Sequence, residues 1–397
     1  MVTVKEATEI IFNHLFDPGV IRVRLAEVRG MVLAEAISAD RDFPPFDRVA
    51  MDGIAIDHGQ WLKGMRTFQV EGTQAAGQPR QSLQHAEHCM EVMTGAILPS
   101  GCNAVIRYED VNLSGQQATV RLASVMPFQN IHRQAADARK GDVLLEAGTR
   151  VSPAEVALLA SVGKQEVEVF AFPKVAIIST GDELVDVGVV PAAHQIRRSN
   201  TYALQAALSG LGASASVFHL PDDRSEMEQE LNDLVARHEV LILSGGVSKG
   251  KFDFVPEVME KAGIHKVFHQ VSQKPGKPFW FGSSRSGKIA FALPGNPVST
   301  FMCFYKYVRP WILKSLRQNV EEASAMLASD FSFSQPLTYF LQVSVKNEGG
   351  RLVARPVPGA GSGDFANLKN VDGFLELPLE KSDFKAGEVY SYIPFRD

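Results

Sequence analysis

Three short apolar runs, each ending in glycine and small polar residues, constrain this chain more than any other feature. Val175-Ala176-Ile177-Ile178 leads into Ser179-Thr180-Gly181-Asp182-Glu183. Val240-Leu241-Ile242-Leu243 leads into Ser244-Gly245-Gly246-Val247-Ser248-Lys249-Gly250, and Phe291-Ala292-Leu293 into Pro294-Gly295-Asn296-Pro297. A strand without polar alternation has no face to give to water, so it is covered on both sides. In open α/β sheets the loops at the carboxyl ends of such strands receive the ligand. The intervening sequence predicts a helix over about 200–209, capped by Ser199 or Asn200 and ended by Gly210 and Gly212. A strand over 215–220 follows, then a helix over 224–237 capped by Asp222 or Asp223. Further on come a helix at about 254–261, strands at 266–268, 278–282 and 288–293, and a helix over 298–316. Strands alternating with helices argue for a parallel sheet with helices on both faces.

The flanking sequence reads differently. Thr3-Val4-Lys5-Glu6 has capping-box spacing before a helical pattern over 4–15, which Asp17-Pro18-Gly19 stops. Ser152-Pro153-Ala154-Glu155 opens a second helix in the same way, running to Ser161. Residues 57–140 predict many short strands between glycine turns. Beyond about 317, Ala323 to Leu327 reads as the end of the helical region. Strand patterns at 339–345, 352–357 and 373–377 then predict a small β domain, either a sandwich or a partly open barrel. With 397 residues the chain is too long for one ordinary core.

Bulk chemistry removes several function classes. Forty-five acidic and 40 basic residues give a formal charge of −5, which favours neither nucleic acid nor an anionic membrane surface. No apolar run approaches the roughly 20 residues of a membrane span. The three cysteines, Cys89, Cys102 and Cys303, match no zinc or iron–sulfur spacing and suggest no disulfide framework. That usage, with no basic-then-apolar leader at the start, points to a reducing cytoplasm. The histidines show no ligand spacing of the HExxH type and read as structural or surface residues.

The candidate chemistry lies in loops. No GxGxxG or Walker A sequence is present, which argues against a standard dinucleotide or kinase-type site. Gly245, Gly246 and Ser248 could bring backbone N–H groups and a hydroxyl to an anion, or could form a tight structural turn. Lys274 and Lys277 sit on a turn stiffened by Pro275 and Pro278; they suit a phosphate or oxyanion, or a solvated hairpin. Pro294 and Pro297 fix the backbone at a helix start. Asp52, Asp137, Asp182, Glu183, Asp222, Asp223 and Asp253 are acids near glycine-rich loops or strand ends, and carboxylates beside phosphate-binding lysines suggest magnesium. Asp222 and Asp223 are equally well explained as helix caps. Residues 40–48 pack three acids and two arginines around two prolines, either as a solvated turn or as a stiff site loop.

Six motifs in order carry a resemblance. Phe46-Asp47-Arg48-Val49-Ala50-Met51-Asp52-Gly53, Met93-Thr94-Gly95-Ala96, Ser179-Thr180-Gly181-Asp182-Glu183-Leu184, Ser244-Gly245-Gly246-Val247-Ser248, Lys274-Pro275-Gly276-Lys277-Pro278 and Leu293-Pro294-Gly295-Asn296-Pro297 together resemble the MoeA family. That family comprises molybdopterin molybdotransferases and is similar to the E domain of gephyrin. The resemblance covers nearly the whole chain. It implies a multidomain α/β protein with a central three-layer α/β molybdopterin-binding domain, N-terminal β-rich domains and a small C-terminal β domain. The expected division is 1–40 pairing with 141–171, a β-rich domain over 41–140, a small α/β linker over 141–171, a binding domain over 172–316 and a barrel-like domain over 317–397.

The same resemblance implies insertion of molybdate into adenylylated molybdopterin with release of AMP, in the presence of Mg2+. Asp52, Thr94, Asp137, Glu183, Asp222, Asp223 and Asp253 match the family's functional polar positions. Asp182, Glu183 and Asp253 are the expected metal or water-orienting set. Gly245, Gly246, Ser248, Lys274, Lys277, Pro294, Pro297 and Ser362 are the expected substrate-binding set. A homodimer sharing its active-site cleft is implied, with Asp52 supplied by the partner subunit. Contact with the molybdopterin adenylyltransferase and with molybdoenzyme chaperones is implied too. The chain departs from the family at His132-Arg133-Gln134-Ala135-Ala136-Asp137, where an arginine run is common, and at Arg48, where asparagine or serine is common. An adenylyltransferase of molybdopterin, or a non-catalytic molybdopterin-binding scaffold, is the competing reading.

Overall fold

The computed structural model describes residues 1–247 and 254–396. The central block is a six-stranded sheet in the order Ala215–Leu220, Val175–Thr180, Val240–Ser244, Ile289–Leu293, Trp280–Ser283, His265–His269. The first four strands are parallel, as the apolar runs predict. Only Trp280–Ser283 is reversed, pairing antiparallel with Ile289–Leu293 on one side and His265–His269 on the other, which departs from a purely parallel sheet. The reason is connection length: a turn through Gly287 joins Trp280–Ser283 to Ile289–Leu293, and so short a link cannot make a crossover.

Alternate side chains of each buried strand enter opposite cores. Ile177, Ile242 and Phe291 face one core, while Ile178, Leu243 and Ala292 face the other. Helix Arg224–Arg237 and helix Val255–Lys261 cover the second face. Helix Asn200–Gly210 and the rod beginning at Pro297 cover the first. That rod is α-helical over Pro297–Cys303 and Arg309–Ser315, with a π-helical turn over Phe304–Val308 just before Pro310. Proline removes a donor from the ladder, and a local change of helical register accommodates it.

The N-terminal helix Val4–Phe12 carries the expected capping box: Glu6 N–H donates to Thr3 Oγ1 at 3.2 Å and Thr3 N–H to Glu6 Oε2 at 2.7 Å. It stops three residues earlier than its periodicity suggests, at the Asn13 cap. Its buried Val4, Ala7 and Ile11 belong to the core of the central sheet. Strand Val20–Arg24 pairs with Glu166–Phe170, and helix Pro153–Ser161 closes a small core with Leu33, Ile37 and Val167.

Residues 53–120 contain a six-stranded sheet ordered Ala104–Arg107, Gly53–Ile56, His88–Val92, Thr67–Gln74, Gln117–Val120, Val111–Ser114. The C-terminal strands form a ring. Thr338–Glu348 pairs with both Arg351–Pro356 and Gly373–Leu377, and Ala323–Leu327 with Val389–Pro394 completes the circuit. The ring is closed rather than partly open. Ala323–Leu327 is a strand and not the end of a helix, despite its alanines. Ala325 and Leu327 point into the barrel, and pairing on both edges overrides local propensity. Among the described residues no helix is long and apolar enough to cross a membrane.

Candidate active site

The three parallel strand ends meet in one cavity of about 500 Å³. Its wall includes Thr180, Gly181 and Glu183 from the first loop, Ser244, Gly245 and Gly246 from the second, and Pro294 to Pro297 from the third. Glycine is required in the second loop. Gly245 and Gly246 have φ of +106° and +70°, and a Cβ at Gly246 would lie 2.5 Å from Val255 Cγ2. Asn200 ties the loops together: its Nδ2 donates to Ser244 Oγ and Gly295 O, each at 2.8 Å.

The acids divide. Glu183 and Asp222 line this cavity. Asp182 is not in its wall; its Oδ1 accepts the Asp222 backbone N–H at 3.1 Å. Asp223 is the helix cap, accepting Glu226 N–H at 2.9 Å, which resolves the choice between the two neighbours. Ser248 and Asp253 lie outside the described residues. His219, beside Ser179 at 3.0 Å, is held below its usual pKa by burial first and by the Arg198 charge second.

A second cavity of about 380 Å³ adjoins the first, sharing Pro278, Pro294 and Asn296 in its wall. It holds Lys274, Lys277 and Ser362, with Gln342 and Tyr339 from the C-terminal barrel. The lysine turn is built into that barrel. Gln273 and Lys274 pair in parallel with Thr338 and Tyr339. Beneath it, the fully buried Gln273 donates from Nε2 to Gly276 O at 2.9 Å and accepts the Tyr307 hydroxyl at Oε1. Asn296 Nδ2 donates to Ser362 Oγ at 2.9 Å, and Val298 N–H to Ser362 O at 3.1 Å. The serine loop is thereby fastened to the start of the Pro297 helix.

Asp52, Thr94 and Asp137 line neither cavity of this single chain. Asp52 Oδ1 accepts the Thr94 N–H at 2.6 Å and its hydroxyl at 2.7 Å. These bonds, the backbone one first, hold the Asp52 carboxyl below its usual range. Gly53 beside it permits the tight strand contact, since a Cβ there would fall 1.9 Å from Ile106 O. Asp137 Oδ1 meets His132 Nε2 at 2.9 Å, and His132 Nδ1 meets Arg48 Nη2 at 3.1 Å. The two positions that depart from the family pattern are therefore hydrogen-bonded to each other.

Burial pushes the Cys89 and Cys102 thiols up to about 12, and Cys303 higher still, so none is a nucleophile near neutral pH. Sequence reasoning missed Arg198 and Thr201 in the first cavity and read Asn200 only as a helix cap. The Arg-Arg-Ser-Asn-Thr run before a helix was the available signal.

Known proteins match the chain along nearly its whole length. The model of the MoeA N-terminal region (domain I and II) matches residues 2–163, that of a probable molybdopterin binding domain matches 176–314, and that of the MoeA C-terminal region (domain IV) matches 324–395. The chain is 41% identical over 396 residues to a molybdopterin molybdenumtransferase of Synechocystis, covering 99% of each. The chain belongs to the MoeA family. A Haemophilus influenzae protein of the same name is 33% identical, with 100% of this chain and 99% of that one covered. A MoeA-family crystal structure from Pyrococcus horikoshii, described as a molybdopterin biosynthesis protein, superposes with a TM-score of 0.84 at 28% identity over 100% of both chains. That full-length superposition covers the N-terminal β-rich domains, the central α/β domain and the C-terminal β domain together.

Proposed function

We propose that this protein is a molybdopterin molybdotransferase, inserting molybdate into adenylylated molybdopterin with release of AMP. One observation carries the reading: two cavities share a wall, one floored by glycine- and serine-rich strand ends and the other carrying Lys274, Lys277 and Ser362. Two anionic reactants can thus lie side by side. Loss of AMP gathers negative charge on phosphate oxygens, and fixed cations and backbone donors stabilise that charge most when they need no reorganisation. In this reading Lys274, Lys277 and Ser362 hold molybdate, while Gly245, Gly246 and Ser248 receive the phosphate-bearing end. Pro294 and Pro297 shape the shared wall.

Mg2+ fits the donor chemistry in a limited way. Among the described residues no group of three acidic, histidine or cysteine side chains converges. Magnesium needs only one or two carboxylates when phosphates and waters complete its shell. Glu183 and Asp222 would hold it, with Asp253 a further candidate and Asp182 positioning Asp222. When bound, the ion supplies Lewis-acid neutralisation of phosphate oxygens. The exposed Asp52, Thr94 and Asp137 act in a homodimer, reaching the cavities of the partner subunit. The reading includes a cytoplasmic location, the five-part domain division given above, and contact with the adenylyltransferase and molybdoenzyme chaperones.

The test is AMP release from adenylylated molybdopterin, with and without molybdate and Mg2+, while molybdenum incorporation is followed. Molybdate-dependent release coupled to insertion is the expected result. Binding without release would overturn the reading in favour of a scaffold, and pyrophosphate release would indicate an adenylyltransferase.

A further inference from the structure

Just behind the wall of the first cavity lie two buried polar atoms that hydrogen bonding within the described residues leaves unused. Thr201 is 2% exposed, and its Oγ1 has no partner. Arg198 Nε is buried without an acceptor, although Arg198 Nη2 pairs with Asp186. Both residues are in the cavity wall. A buried donor left unpaired is costly, and native proteins rarely leave one without a reason.

The setting gives the reason. Helix Asn200–Gly210 starts here, with Ser199 in helical conformation and no side chain capping the first turn. Unsatisfied N–H groups at a helix start attract an anion. The arginine is also held in place. Its own N–H donates to Val185 O at 2.9 Å. Asp186, the partner of its outer nitrogen, is fixed by Val187 N–H at 2.6 Å and the Tyr202 hydroxyl at 3.1 Å. Arg197 pins the same loop, donating from Nε to Val187 O at 3.0 Å and Val189 O at 3.1 Å. A guanidinium anchored at one end and unpaired at Nε lies just behind the cavity surface, and a small side-chain turn at Arg198 and Thr201 would bring that N–H and the hydroxyl to an incoming oxyanion for charge-assisted and neutral bonds.

We propose that Arg198 and Thr201, at the open start of the Asn200 helix, form a phosphate subsite that binds the phosphate of the adenylyl group, distinct from the lysine cavity. The assignment of that phosphate to AMP rests on the transferase reading; the existence of the subsite does not. Arg198 supplies charge and an Nε–H, Thr201 a hydroxyl and the helix its first-turn amides. The lysine cavity is then left to molybdate.

AMP binding by calorimetry, on the full chain without turnover, tests this. Arg198→Ala should weaken AMP by about tenfold or more, as expected for a lost charge-assisted bond. Thr201→Val, nearly isosteric, should weaken it about threefold or more, as expected for a lost neutral bond. Arg198→Lys should recover only part of the loss, because the charge remains and Nε–H does not. Lys274→Ala should leave AMP affinity unchanged. Asp186→Asn separates the subsite from loop order: it removes the anchoring pair and leaves Nε–H. The proposal is overturned if Arg198→Ala binds AMP like the parent, if Lys274→Ala causes the loss instead, or if Asp186→Asn reproduces the whole loss. The transferase reading fails separately, by absence of molybdate-dependent AMP release from a protein that still binds AMP through Arg198.

Discussion

The acids at the N-terminal loops and the groups at the ends of the central strands are held by opposite means. Asp52 and Asp137 stand on the surface, and each is satisfied by a neighbour on its own domain. The cavity beneath the central loops has unspent capacity, with Arg198 Nε and Thr201 Oγ1 buried and unpaired. The lysine turn lies between these cases: exposed ammonium groups stand on a fully buried Gln273–Tyr307 pair. A site that keeps buried donors open is built for a ligand. Exposed groups that are locally satisfied carry no such mark, and Asp52 and Asp137 gain a role in the chemistry only if a second subunit brings them to a cavity, as proposed above.

The largest effect should come from breaking the two sides separately. Lys274→Ala should cut molybdate-dependent AMP release at limiting molybdate by roughly 10- to 100-fold, the scale of a lost charge-assisted bond to the molybdate that Lys274 holds in the proposed function. Asp52→Asn should also cut turnover, while neither change shifts the melting temperature appreciably, because Lys274 is exposed and the asparagine amide oxygen still accepts both Thr94 donors. Mixing the two inactive proteins should restore about a quarter of parental turnover, since half the redistributed dimers carry one intact cleft. No recovery after verified subunit exchange would place Asp52 in its own subunit's chemistry and remove the contrast.

A smaller, purely structural effect should follow from Tyr307→Phe. The ring remains, but Gln273 Oε1 loses its donor inside the core. We expect a loss of about 1–3 kcal/mol in denaturant unfolding, the cost of an unsatisfied buried acceptor. A weaker grip on molybdate should accompany it, because Gln273 supports the lysine turn. Unchanged stability would mean that the turn is held by the barrel pairing alone.

What the sequence revealed follows this division. Apolar runs announce buried strands directly, so the central sheet, its helices and the three loops that line the first cavity were legible. Capping boxes at Thr3 and Ser152 were legible because both partners lie three residues apart. The reversal of Trp280–Ser283 was not legible from periodicity, since a buried strand reads alike in either direction; only the Gly287 turn distinguishes it. Ala323–Leu327 misled because its strand character comes from distant partners at 353–354 and 389–392. Arg198 and Thr201 were missed for a related reason. An unpaired buried atom is a property of packing, and no spacing rule encodes it.

The Asp222–Asp223 pair sharpens the comparison on a smaller scale. Asp223→Ala removes the cap of helix Arg224–Arg237 and should cost about 1 kcal/mol, with AMP affinity unchanged. Asp222→Asn should reduce turnover without that loss of stability, because Asp222 lines the cavity. Equal losses of stability would make both residues structural and leave Glu183 as the cavity's principal carboxylate.

The finest test concerns charge at Asp52. Its carboxyl is held below the ordinary 3.8 of an aspartate, by Thr94 N–H first and the Thr94 hydroxyl second. A depressed folded pKa means that the bond stabilises the fold above the unfolded pKa and that this contribution disappears as pH falls through the folded value. Asp52 is therefore ionised throughout the neutral and mildly acidic range, and its acid titration lies below that of an unbonded aspartate. Thr94→Val removes the hydroxyl and keeps the backbone donor. By carboxyl-detected NMR, Asp52 should then titrate part of the way back toward its ordinary value. A full return would mean that the side-chain bond, not the backbone bond, fixes the carboxylate. No movement would mean that Thr94 acts on Asp52 through its N–H alone.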